Sequence, residues 1–460
     1  MTVRHRLSLL RAAVAVGLVL APVSAAVAQS DPGLSLIRDT EIEAILHQDA
    51  DPIFVAAGLN PKSVQIHILG DRQLNAFSAG GEQLFLNTGL ILETKTPNQL
   101  VGVIAHETGH IAGGHIARSG AAGRAALGPV ILSIGLGVLA ALAGAPDAAA
   151  GLVFSAGYFG QISVLGYSRE QESRADQAAV TYLETAGTSG RGLVEFFNNF
   201  RYQEVFDDEK KYPFFRDHPL TDDRIEALAA RVEHQPHVGV VDTAEATERH
   251  ALMHAKLEGF IGSPGQTLAD YPETDKTFPA RYARAIAYYK ATDTDHALKS
   301  IDSLLAEQPN NPYLWELKGQ VLFEIGRAKE AEPAHRRSVE LMPDAPLLRS
   351  NLAQALIAVG GPANLDEAVR HLQRSLQQEP DSPLGWRLLA EAYDGQNKPG
   401  PARLAAAEQN FYLGQLLEAR TFAFNARKLL VKGTPEWRRA TDIILASKPT
   451  PGELKDLGGV

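Results

Sequence analysis

Residues 96–110 read Thr-Pro-Asn-Gln-Leu-Val-Gly-Val-Ile-Ala-His-Glu-Thr-Gly-His. Thr96 suits a helix N-cap, Pro97 the first helical position and Gln99 the third place of a capping box, ahead of the apolar run 100–105. A helix started there carries His106 and His110 four residues apart. Both imidazoles then leave one face and can reach one metal ion, with Glu107 beside it. For this pattern the expected ion is zinc, one per chain, which polarises a water for which Glu107 is the general base. The chain has no Cys, which removes thiolate catalysis, Cys-ligated zinc and iron-sulfur clusters, so any metal must rest on His, Asp and Glu.

A third protein ligand is needed. His115 is near, but an extended motif with a third His would need it at position 116, which is Ile116. One residue turns about 100° around a helix, so His115 reads as a structural or surface His. Downstream, a second helix is expected to start near Ser168, with Gln171 in capping-box position. It carries Glu172-x-x-x-Asp176. These two carboxylates share a face, so Glu172 can ligate zinc while Asp176 supports catalysis by hydrogen-bonding a ligating His.

Upstream, Arg4, Arg6 and Arg11, the apolar run 12–21 and Ala26-Val27-Ala28 have the order of a cleaved signal peptide, 1–28. Cleavage would leave 41 basic against 54 acidic residues and place the mature chain outside the cytoplasm. The formal charge is already -10 over 460 residues, so no electrostatic footprint for nucleic acid exists. Period-two alternation in 63–69 and again in 83–87, with Gly80-Gly81 before the second, predicts a small strand-and-turn unit ahead of the zinc helix.

Between 125 and 168 the only charged residue is Asp147. A single membrane crossing there would separate His110 from Glu172, and two crossings would return the chain to the same side. Gly and Ala dominate both halves, which favours a helical hairpin or lid over the site, touching a membrane surface through 125–166.

Beyond a connecting segment, 236–277, the chain fits a 34-residue frame. Starting at Phe278 it puts Ala285, Ala297 and Pro309 at places eight, twenty and thirty-two. Starting at Pro312 it gives Trp315, Gly319, Ala331 and Pro343. A third frame from Pro346, with three extra residues near 360–364, gives Ala353, Ala368 and Pro380, and a fourth from Pro383 gives Trp386, Ala390, Tyr393 and Ala402. These are tetratricopeptide repeats over 278–431, with 432–460 as a tail. Small residues sit where paired helices cross, and the stack offers a concave surface to an extended partner.

The zinc motif together with Ser168-Arg-Glu-Gln-Glu-Ser-Arg-Ala-Asp176, Asn75-Ala76-Phe77, Gly80-Gly81 and Asn87-Thr88-Gly89-Leu90 resembles the HtpX and CAAX-prenyl-protease type of zinc metallopeptidase. The signal peptide, Arg216-Asp217-His218-Pro219 and the repeats place the resemblance in a periplasmic subgroup. The fold it implies is an α+β zincin-like peptidase domain over 29–235, mostly helical with a small sheet, followed by an all-α repeat solenoid. It also implies hydrolysis of unfolded or misassembled outer-membrane proteins, with the repeats contacting the β-barrel assembly machinery. His218 matches the His of a His-Pro element that lies near the metal in this subgroup. It is either a fourth ligand that keeps the site latent or a loop His.

Three readings follow. The first is an endopeptidase with zinc on His106, His110 and Glu172, in which the backbone of Asn75, Ala76 and Phe77 pairs with an extended substrate. The second is a repeat-based chaperone or adaptor with a latent zinc site, and the third an integral-membrane protease.

Overall fold

The computed structural model describes residues 36–115, 169–200, 214, 218 and 220–456. The expected signal peptide, the stretch 125–166 with Asp147 as its one charge, and Arg216, Asp217 and Pro219 lie outside the described residues.

The first domain begins with β1 (Leu36–Ile37) and α1 (Thr40–Ala56), whose N-cap Asp39 accepts hydrogen bonds from the Glu41 and Ile42 amides. Three further strands follow: β2 (Gln65–Leu69), β3 (Ala76–Ala79) and β4 (Gln83–Asn87). They form one sheet in the order β1-β2-β4-β3. The β2–β4 pair is parallel and the other two are antiparallel. A short loop joins β3 to β4, with Gly81 at φ +80°, a backbone region that a side chain disfavours.

The period-two pattern then decides the packing. Ile68, Ala76, Leu84 and Leu86 turn inward to a core with Ile42, Leu46 and Phe54 of α1. On the opposite face His67, Phe85 and Phe77 are cross-strand partners and stack at ring separations of 4.6 and 4.8 Å.

After α2 (Thr88–Glu93) comes the zinc-motif helix, α3 (Pro97–Ala112). Thr96 caps it by accepting from the Gln99 amide at 3.2 Å, while the Gln99 side chain reaches back to the Lys95 amide at 3.0 Å. The reciprocal contact thus falls one residue earlier than a standard capping box. Helix α3 is buried along nearly its whole length. It packs on α4 (Arg169–Thr185) and α5 (Arg191–Phe200). The domain closes with α6 (Asp222–Glu233).

The connecting residues are themselves helical: α7 (Ala244–Ile261) and α8 (Pro264–Asp270). The repeats follow as antiparallel pairs: α9 (Phe278–Lys290) with α10 (Thr294–Glu307), and α11 (Pro312–Glu324) with α12 (Ala328–Leu341). Next come α13 (Pro346–Val359) with α14 (Pro362–Gln378), and α15 (Pro383–Gly395) with α16 (Pro399–Tyr412). The described chain continues through α17 (Leu416–Leu429), α18 (Pro435–Ala446) and α19 (Pro451–Asp456). Helix α18 falls in the residues set apart as a tail, yet its Ala440, Ile443 and Ile444 share a core with Ala419 and Ala423 of α17.

The 34-residue frame has a bonding counterpart. At place four, Trp315, Arg349 and Trp386 each donate to the carbonyl of the proline that ends the preceding repeat: Pro309, Pro343 and Pro380, at 2.9, 2.6 and 2.8 Å. Ala285, Ala297, Ala331, Ala353 and Ala368 are fully buried at the helix crossings.

The first domain and the repeats are joined by charged contacts, those around Lys256 buried. Lys256 of α7 lies 2.8 Å from Asp39 and 3.0 Å from Glu41, and the Tyr282 hydroxyl of α9 donates to Glu41 at 3.0 Å. Arg38 bridges Glu43 and Glu379, the residue that follows α14, each at 2.7 Å.

Candidate metal centre

Four side chains from three parts of the chain converge inside the first domain. Helix α3 supplies His106 and His110, α4 supplies Glu172, and the segment before α6 supplies His218; all four are buried. One potential ligand atom from each lies within 4.8 Å of every other. His106 Nε2 is 3.2 Å from His110 Nε2 and 3.3 Å from His218 Nδ1. Glu172 Oε1 is 3.1 Å from His218 Nδ1 and 3.4 Å from His110 Nε2, and Glu172 Oε2 is 3.5 Å from His106 Nε2.

These separations test whether a metal fits. A tetrahedral ion bound at 2.0–2.1 Å by N and O donors holds them about 3.3–3.4 Å apart, close to the spacings observed. The neighbours of two of the rings admit the neutral tautomers that a metal requires. His106 Nδ1 lies 3.0 Å from Asp176 Oδ1, so a proton held there leaves a lone pair on Nε2 facing the cluster. His110 Nδ1 lies 3.0 Å from His115 Nδ1; one of the two must carry the proton, and with it on His110 the Nε2 lone pair also turns inward. Convergent lone pairs in a buried site repel one another unless a metal ion, or protons on the rings, lie between them. Three imidazoles and a carboxylate suit zinc among the common ions.

Glu107 is buried beside the cluster, with Oε1 3.3 Å from His218 Nε2. Burial pushes its carboxyl above the ordinary range, against the pull of His218 and His106. Burial would also raise Glu172, but His218 and His106 outweigh it and hold Glu172 well below the carboxylate range. Asp176 is lowered in the same way by His106 and Arg224. For His106, burial is overcome by the hydrogen bonds to Asp176 and Glu172, which push it up to about 10. His218 is raised by Glu172 and Glu107 against its burial. His110 goes the other way, through burial and the neighbouring His106 and His218.

The structure thus brings together His106, Glu107, His110, Glu172, Asp176 and His218, each named from sequence. Asn75 sits one residue before β3, and Ala76 and Phe77 lie within it, on the outermost strand of the sheet. All three are buried. The Phe214 amide donates to the Leu74 carbonyl at 3.2 Å, so the segment that delivers His218 also closes on the chain just ahead of that strand.

Sequence reading missed Arg224 and left His115 as a structural or surface His. His115 is not at the surface: it is 2% exposed and backs His110. Arg224 of α6 reaches both Glu172 and Asp176 at 2.9–3.0 Å, a contact across about 50 residues that no local spacing announces.

Comparison with known proteins agrees with this architecture. Residues 37–232 match the profile of peptidase family M48, and residues 276–404 that of the cytochrome c-type biogenesis protein H TPR domain. The chain is 25% identical over 385 residues to the beta-barrel assembly-enhancing protease of Yersinia pestis, spanning 81% of this chain and 76% of the relative. For the protein of the same name from Escherichia coli (strain K12) the identity is 24% over 379 residues, with the same shares. Metalloprotease LoiP of Escherichia coli (strain K12) is 26% identical over 181 residues, spanning 38% of this chain and 65% of the relative. The chain therefore carries a domain of peptidase family M48 followed by a tetratricopeptide-repeat domain.

Proposed function

We propose that the protein is a periplasmic zinc endopeptidase that hydrolyses misfolded or stalled outer-membrane β-barrel proteins, with its repeats docking the substrate or the assembly machinery. The observation that carries the chemistry is the buried convergence of His106, His110 and Glu172 beside Glu107. The substrate class rests on the relatives named beta-barrel assembly-enhancing protease.

Zinc, when bound, supplies Lewis-acid polarisation of a peptide carbonyl and of water. His106, His110 and Glu172 would hold it, and Asp176, 3.0 Å from His106 Nδ1, would fix that ring. Glu107 would take the proton of the attacking water on its carboxylate and pass it to the leaving amine. An extended substrate would pair with the outermost strand, β3, near Asn75, Ala76 and Phe77, where backbone bonds hold it independently of sequence.

His218 is the regulatory element of this reading. It stands among the ligands and within 3.3 Å of Glu107, where the nucleophilic water and the scissile carbonyl would have to fit. Four protein donors make a closed, structural type of site, and a catalytic site needs an open position. That favours latency until the segment of Phe214 and His218 lifts, which would free the fourth position and the approach to β3 together. The same closed set is what a repeat-based chaperone or adaptor with a latent zinc site would show.

Casein cleavage by the zinc-loaded chain, by Glu107→Gln and by His218→Ala separates the two. An endopeptidase loses cleavage in the first variant and gains it in the second. An adaptor shows no cleavage in any form and keeps its cellular function in Glu107→Gln.

A further inference from the structure

Arg224 is almost fully buried, its side chain 9% exposed, although it lies in the first turn of a surface-facing helix. Its place is fixed locally: Thr221 caps α6 by accepting from the Arg224 amide at 3.3 Å. The guanidinium packs 5.7 Å over the Phe197 ring. Its fork spends Nε and Nη2 on the two oxygens of Asp176, both at 2.9 Å, and turns Nη1 to Glu172 Oε2 at 3.0 Å. If the only task of Arg224 were to dock α6 onto α4, the bidentate grip on Asp176 would satisfy it. The third contact goes to the carboxylate that faces the three imidazoles.

We propose that Arg224 is a positioning residue for the metal centre. By holding Glu172 Oε2, which also lies 3.5 Å from His106 Nε2, it sets the orientation of the carboxylate whose Oε1 faces His110 and His218. By gripping Asp176 it orients the acceptor that fixes the His106 tautomer, so one side chain aligns two of the three proposed ligands. Arg224 also places a permanent positive charge beside Glu172 and Asp176, whose crowding in a buried site is otherwise unfavourable. Lys cannot replace it, because a single ammonium lacks the fork that spans both carboxylates.

This inference rests on the proposed metal site, and its test separates the two. Zinc affinity is measured on the full mature chain by competition with a chromophoric chelator, and the visible spectrum is recorded after loading with Co2+, for the parent, Arg224→Lys and Arg224→Gln. The expected result is a loss of affinity of about 10–100-fold in both variants, with a shifted Co2+ spectrum. Arg224→Lys retains the charge and decides the matter if Arg224→Gln does not fold. Parent-like affinity and spectrum in Arg224→Lys would overturn the positioning role, whatever happens to its melting temperature. A parent chain that binds no zinc would overturn the metal centre itself.

Discussion

Gly109 packs directly on the backbone of Ala175: a methyl group built on its Cα would meet the Ala175 carbonyl oxygen at 2.9 Å. The zinc motif leaves this position open, so chelation does not demand glycine there. Helix packing does, because α3 and α4 must approach closely for His106 and His110 to meet Glu172.

Gly109→Ala is therefore expected to push the helices apart by a few tenths of an ångström. Zinc affinity should fall by at least about tenfold, since the ligands are held by that approach. Stability should fall by about 1–3 kcal/mol, the usual range for overpacking. Chelator competition and urea unfolding check the two effects; parent-like zinc affinity would show that the helix spacing is not what aligns the ligands.

An equivalent contact supports the second repeat. A Cβ on Gly319 would fall 2.7 Å from three atoms of the His335 ring. Gly319→Ala should cost about 1–3 kcal/mol and lower the melting temperature without changing the zinc content. An unchanged melting temperature would mean that His335 has room to move aside.

His335 also predicts acid sensitivity. Burial lowers its pKa from 6.5 to about 4, and His250 and His254 are lowered to about 3 and about 4, again chiefly by burial. Between pH 6.5 and 4 the unfolded chain binds these protons and the native chain does not, so stability rises with pH across that window. It is fully present above pH 6.5 and is lost as pH falls toward 4. For His335 alone the difference is on the order of 3 kcal/mol. Urea midpoints of the metal-free protein at several pH values should show this slope, and His335→Gln should flatten it. Equal slopes in parent and variant would contradict the assignment.

The junction between the domains gives a fourth test. Lys256 is 3% exposed and faces Asp39 and Glu41. Lys256→Ala leaves both carboxylates without it, and breaking such a buried pair costs about 3–5 kcal/mol. Tyr282→Phe removes one hydrogen bond to Glu41 and should cost about 1 kcal/mol. Differential scanning calorimetry distinguishes them; equal, small losses would mean that water reaches the pocket and screens the charges.

What the sequence revealed follows from what is local. Capping at Thr96, the four-residue spacing of His106 and His110, the alternation in β2 and β4 and the 34-residue frame all act within one element or between neighbours. Glu172 and Asp176 were also legible, because a carboxylate pair spaced four apart on a helix has one common face. The role of Arg224 was not, since its partners lie about 50 residues away and only the packing of α6 on α4 joins them. For His115 the choice between a structural and a surface His stayed open for a similar reason. Gly113 and Gly114 follow α3, with Gly114 at φ +60°, and the chain turns there instead of continuing the helix, so a count of 100° per residue no longer locates the ring. The helices joining the domains carry no motif, and their charges gain meaning only once α1, α7 and α9 are seen side by side.

The most direct test of the account is cleavage of casein by the zinc-loaded mature chain beside Glu107→Gln, with zinc content measured in both. The account predicts about one zinc per chain in each, with cleavage by the parent, or by His218→Ala if the parent is latent, and none once Glu107 is replaced. Cleavage that survives Glu107→Gln, in the parent or in the His218→Ala background, would contradict it.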